Sequence, residues 1–115
     1  MNTVTLIGRL GKDPTLRYTA NERAVCEFPL AVDNRYSDEP DWFTIVAWGK
    51  TAETVAEYKT KGDQVAILGH LTPVRWETDN GDKRSTVKVT ADSVTFLNRK
   101  QSSSDPQSEQ PEPDA

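Results

Sequence analysis

One cysteine and one histidine stand in 115 residues. Cys26 has no partner for an intramolecular disulfide, which fits a reducing cytosol. With His70 alone beside it, no Cys/His set of zinc-binding size can form. Long apolar runs are missing too: no stretch approaches the ~20 apolar residues that span a bilayer. The start, MNTVTLIGRLG, has no basic segment leading into an apolar one, so no signal peptide is expected. No Ser/His/Asp set, Cys/His pair or phosphate-cradling glycine loop is present, and the acids are scattered without a convergent pair. These absences set aside catalysis, a resident metal or cofactor, and membrane insertion. The expectation is a single cytoplasmic domain that binds rather than reacts.

Basic residues are missing from one region in particular. Residues 1–100 hold all 14 Lys and Arg and 14 of the 18 acids, so that part is neutral. The net charge of −4 therefore falls wholly within 101–115, on Asp105, Glu109, Glu112 and Asp114. That segment, QSSSDPQSEQPEPDA, has no large apolar side chain whose burial could offset its ordering entropy. A folded domain over 1–100 and a disordered acidic tail over 101–115 are expected. The low isoelectric point thus says nothing against an anionic ligand for the folded part.

What is present is β pattern. Val4, Leu6 and Leu10 alternate around Gly8 and predict a first strand near 3–10, closed by a GKDP turn at 11–14. Ala24, Cys26, Phe28, Leu30 and Val32 form an unbroken period-two series, with Pro29 pointing to an edge or a bulge. Residues 42–48, WFTIVAW, make a third strand. TAETVAEYKTK at 51–61 reads as the one helix: Thr51 as N-cap, Glu53 in the first turn, Lys59 and Lys61 in the last, and Gly62 just past the end. Its narrow stripe of Ala52, Val55 and Ala56 suits a plug at one end of a barrel. Residues 64–75 and 86–97 are two further strands, and Asn80-Gly81 predicts a type I′ hairpin. That turn sets Glu77 opposite Arg84 and Thr78 opposite Lys83. Five strands with one short helix between the third and fourth is the layout of a Greek-key OB-fold barrel, a scaffold that implies no function by itself.

The third strand poses the functional question. Phe43, Ile45 and Ala47 share one face, and Trp42, Thr44, Val46 and Trp48 share the other. If the first face fills the barrel, two indoles stand outside it and need a cover. A ligand with its own π-faces would serve, and so would a second subunit. Trp76 opens the hairpin arm and Tyr36 ends the loop Asp33-Asn34-Arg35-Tyr36. Lys50 follows Trp48 closely, Arg75 precedes Trp76, Arg35 precedes Tyr36, and Lys83 and Arg84 lie at the arm. Aromatic platforms among cations suit a single strand of nucleic acid, whose bases stack while Lys and Arg neutralise its phosphates. His70 reads as a packed or interfacial strand residue, and Cys26 as a small buried hydrophobe.

Three stretches carry a resemblance: NTVTLIGRLGKDPTLRY at 2–18, AWGKTAETVAEYKTKGDQV at 47–65 and GHLTPVRWETDNGDKR at 69–84. They are similar, collinearly from about residue 2 to residue 100, to the bacterial single-stranded DNA-binding protein family. The resemblance implies a homotetramer of OB-folds that coats and protects single-stranded DNA in replication, recombination and repair. It places stacking aromatics on Tyr36, Trp42, Trp48 and Trp76, with Trp48 where many members carry Phe. It places basic contacts on Lys50, Lys61, Arg75 and Arg84, which Lys83 neighbours. The chain departs from the family in a shorter Asn34–Asp41 loop, a single basic residue in "TPVRW", and Phe43 in place of a histidine. Its last residues, Pro-Glu-Pro-Asp-Ala, stand where members end in acids followed by Ile-Pro-Phe, so the usual recruitment of replication and repair proteins is not expected. A primosome-like protein-interaction module and a relative specialised for DNA uptake are the alternatives. The first predicts tryptophan fluorescence indifferent to oligonucleotides.

Overall fold

Six strands and a single helix make up the fold. A computed structural model describes residues 1–97; the acidic tail expected over 101–115 lies outside the described residues. The elements are β1 (Val4–Leu10), β2 (Thr15–Tyr18), β3 (Ala24–Val32), β4 (Asp41–Trp48), α1 (Gly49–Tyr58), β5 (Gln64–Glu77) and β6 (Lys83–Phe96). The strands are ordered β1-β5-β6-β4-β3-β2, and β1 also pairs with β3, so the sheet closes on itself. All neighbours are antiparallel except β4 and β6, which run parallel. This is the OB-fold expected, with one strand more than the five read from the sequence, so that the helix lies between the fourth and fifth.

One strand was not foreseen. The turn at 11–14 divides the first arm of the barrel in two. β1 pairs with the second half of β3 (Leu10 with Leu30), and β2 pairs with the first half (Leu16 with Cys26). All four β2 residues are exposed, so TLRY offers no burial alternation to read. The same break corrects the expectation for Pro29, which lies in a strand paired on both sides rather than at an edge. Its missing N–H points toward the gap between β1 and β2, and its carbonyl on that side accepts the Gly11 N–H at 2.8 Å. No ladder bond is lost, so the proline is tolerated.

The interior holds the series that periodicity picked out. Cys26, Phe28 and Leu30 from β3 meet Ile45 and Ala47 from β4, Val65 and Ile67 from β5, and Val89 from β6. Ala52 and Val55 close one end from the helix, while Ala56 is only partly buried. Burial pushes the Cys26 thiol up to about 11, so it is a neutral core residue, as expected. The helix itself begins and ends earlier than predicted. Trp48 is its N-cap, without a side-chain capping bond, and Lys59 its C-cap. Thr51 therefore lies inside it, Lys59 and Lys61 lie beyond the last turn, and the first turn holds no acid. Gly62 sits in the following turn at φ +92° and donates to the Leu10 carbonyl at 2.8 Å. The chain signal at 59–63 marks that turn, not a helix end.

Two features of the β5–β6 arm depend on register. Between Leu68–Ser93 and Gly69–Ala91 the ladder skips Asp92, a β-bulge. The bulge lets Val89 and Ala91 face the interior before it, and Val94 and Phe96 after it. At the tip, Trp76 lies opposite Arg84 and Glu77 opposite Lys83, one residue off the predicted register. Thr78 and Asp82 close a three-residue loop: the Thr78 N–H donates to the Asp82 carbonyl, and the Gly81 N–H to the Thr78 carbonyl. Gly81 takes φ +86° while Asn80 does not cross to positive φ, which excludes type I′ and leaves a type I turn with a glycine bulge. The β2–β3 hairpin repeats it, with Glu22 at φ +62° in the glycine position.

Gly69 is fixed by contact. A Cβ there would strike the Thr90 carbonyl oxygen and lie 2.9 Å from its carbon. Both are backbone atoms of the paired strand and cannot swing away. Gly69→Ala is expected to lower stability by about 1–3 kcal/mol or more through strand separation at the bulge, measured as a shift in the urea midpoint. An unchanged midpoint would mean that the arm pivots freely there.

Candidate nucleic-acid interface

The register of four strands defines the outer face opposite the core. On β4 it carries Trp42, Thr44, Val46 and Trp48, which lie across from Ala31, Pro29, Glu27 and Val25 of β3. Val46 lies beside Thr90 in the parallel β4–β6 pair. Thr90, Lys88, Thr86 and Arg84 therefore continue the face on β6, opposite His70, Thr72, Val74 and Trp76 of β5. Three tryptophans thus share one unbroken face. Trp42 and Trp76 are 59% and 48% exposed, and Trp48 is partly covered by the Arg23 guanidinium, 4.5 Å from the ring centroid. The Trp42 ring lies against Gly11, where a Cβ would come within 2.5 Å of Cζ3.

The predicted residues are not all brought together. Trp42, Trp48, Trp76 and Arg84 join on this face, and Arg84 Nη2 lies 3.9 Å from Asp82 Oδ2. Arg75 and Lys83 fall on the opposite face of the arm, because alternation separates each from its neighbour. Both still line a groove about the arm with Trp76 and Arg84. Tyr36 is the most exposed of the four aromatics, held out by a loop bonded to itself: its N–H donates to Asn34 Oδ1 at 2.8 Å, and Asn34 Nδ2 donates to the Asp41 carboxylate. Four acids, Asp33, Asp38, Glu39 and Asp41, accompany Arg35 in this stretch of the sequence. Lys50 is exposed in the first turn of α1, beside the Tyr18–Glu53 hydrogen bond of 3.2 Å. Lys61 is exposed in the following turn, its N–H donating to Asp13 Oδ1 at 2.8 Å.

Other cations reach the face unannounced. Arg17 lies opposite Val25 and so shares the Trp48 face. With Lys12, Thr15, Glu27, Pro29 and Thr44 it lines a groove of about 440 Å³. Lys88 Nζ donates to Glu27 Oε2 at 2.8 Å. Their spacing from Trp48, Glu27 and Arg84 was present in the chain, but only strand pairing puts them on one surface. His70, read as packed or interfacial, is half-exposed in the single chain, with Nδ1 3.1 Å from Asp92 Oδ2. No group of three or more metal-ligating side chains occurs among the described residues, and among these no helix is long and apolar enough to cross a membrane.

Comparison with known proteins identifies a family. The model of the single-strand binding protein family matches residues 1–97. A single-stranded DNA-binding protein of Clostridium perfringens is 44% identical over 99 residues, covering 84% of this chain and 66% of that protein. One from Clostridium tetani is 44% identical over 102 residues, with 84% and 70% covered. Single-stranded DNA-binding protein 1 of a Nostoc species is 39% identical over 103 residues, with 88% and 87% covered. The chain thus spans about two thirds of the length of the Clostridium relatives it matches. These relatives are named as single-stranded DNA-binding proteins. The family match runs through every element described above: this chain is a member of the single-strand binding protein family.

Proposed function

We propose that the chain binds and protects single-stranded DNA without regard to sequence. Bases stack on Trp42, Trp48 and Trp76, with Tyr36 at the loop, while cations along the same path neutralise phosphates. The observation that carries this reading is the set of three tryptophans on one continuous outer face. A core needs only the other face, and every base has a π-surface to cover an indole, whatever its identity. Arg84 and Arg17 lie on that face, and Lys50, Lys61, Arg75 and Lys83 flank it, supplying the salt-sensitive component. The proposal extends to work in replication, recombination and repair in the cytoplasm. It extends also to assembly as a homotetramer, for which Ile7 on β1 and Leu68 on β5, both exposed, offer apolar area.

A titration of intrinsic tryptophan fluorescence with oligo-dT at low and high salt tests the reading. Quenching that saturates, and that weakens as salt rises, is the expected result. Fluorescence unmoved at low salt would reassign the tryptophans to a protein partner.

A further inference from the structure

The middle of the proposed binding face is occupied by an ion pair that DNA binding by itself does not explain. Glu27 on β3 and Lys88 on β6 are not on neighbouring strands; β4 runs between them, with Val46 beside Glu27. Lys88 Nζ reaches over β4 to Glu27 Oε2 at 2.8 Å. The pair therefore crosses β4 between Trp42 and Trp48, which six residues of strand hold about 20 Å apart. A strand stacked on both rings passes over it. Glu27 also lines the groove that holds Lys12, Asp13 and Arg17, so its carboxylate lies beside two of the cations a phosphate would seek, with a second carboxylate in the same groove. The two side chains are 31% and 36% exposed, accessible enough for a phosphate to compete for the ammonium.

We propose that Glu27 is an affinity-setting latch: it holds Lys88 away from the phosphates of a bound single strand. The inference rests on the proposed DNA-binding reading. A phosphate and a carboxylate carry the same sign and compete for the same Nζ donor. While Glu27 keeps Lys88, the lysine releases no counterion from DNA, and the carboxylate stands against the incoming backbone. Freed from Glu27, Lys88 becomes one more phosphate contact. The device keeps a protein that must be displaced from its strand from holding it too tightly.

The test is a salt titration of labelled oligo-dT binding, followed by anisotropy, with wild type, Glu27→Gln, Lys88→Gln and the double variant. One added contact on a single strand steepens the log–log salt slope by about 0.7 and tightens binding about fivefold near ~0.1 M salt. Glu27→Gln is expected to show both changes. Lys88→Gln should leave the wild-type slope unchanged, yet erase the gain when combined with Glu27→Gln. A Glu27→Gln slope equal to wild type would overturn the latch. So would a Lys88→Gln loss of slope that is the same in both backgrounds, since Lys88 would then already be in contact. Glu27→Ser, checked by circular dichroism, serves as a second neutral variant should the glutamine disturb the sheet. Failure of wild type to bind oligo-dT would sink the functional reading instead, and is read from the same plates.

Discussion

Trp48→Ala is expected to weaken oligo-dT binding about ten- to a hundredfold while leaving the protein folded. The stacking value, about 1–3 kcal/mol per base, was established on single-strand binders of this kind and is not a product of the present geometry. What the geometry adds is the reason Trp48 should lie at the upper part of that range. It is a rigid platform: its strand is paired on both sides, α1 starts at the next residue, and Arg23 seats against one side of the ring. A fixed ring loses little entropy when a base stacks on it. Arg23, 4.5 Å from the centroid, loses its seat in the variant, so a cation held next to the stacked base is lost with the ring. Trp48→Phe keeps a flat face and should retain most of the affinity. The core is built from the other side of β4, so the alanine variant should keep its circular dichroism spectrum. Wild-type affinity in a folded Trp48→Ala protein would remove this residue from the DNA path.

Much of this was legible in the chain, and the illegible part has one cause. Alternation within a strand needs no partner, so the inward series of β3 and β4 and the outward pair Trp42 and Trp48 could be read directly. Membership of a common face across strands needs register, which a turn fixes. Asn80-Gly81 marked the hairpin correctly, but the loop closes on Thr78 and Asp82, one residue from the type I′ alignment. That single step decides that Arg84, not Lys83, accompanies Trp76. Arg17 and Lys88 were missed for the same reason: their relation to Trp48 and Glu27 runs through β3, β4 and β6. Val25, 2% exposed on the outer face, has Trp48 and Arg17 on its two flanks, a cover no local pattern shows. The helix ends failed differently. Thr51 and Gly62 carry strong local signals, but the chain enters the helix directly from β4, and Gly62 serves a turn bonded to Leu10.

Phe28→Ala should produce the largest loss of stability, about 3–5 kcal/mol, against total stabilities of about 5–15 kcal/mol for domains of this kind. Phe28 is 1% exposed and is the largest of the fully buried side chains. It lies opposite Ile45 in the ladder, with Cys26 and Leu30 on the same face of β3. A closed ring of strands cannot draw in to fill a void as a loose layer can, because every strand but β2 is held by ladder bonds on both sides. Relaxation would have to come from α1, whose Ala52 and Val55 close the end of the core, and a two-residue contact gives it little to move in with. With a urea dependence of about 1–3 kcal/mol per molar, the midpoint should fall by at least about 1 M. Oligo-dT stabilises only the folded form and should recover part of that loss in proportion to its concentration over Kd. Its affinity for the folded variant should stay near wild type, since Phe28 and the tryptophans lie on opposite sides of the sheet. Recovery by oligo-dT with unchanged affinity would separate the core from the binding face. A parallel fall in affinity would show instead that the packing behind β3 sets the position of the rings in front of it.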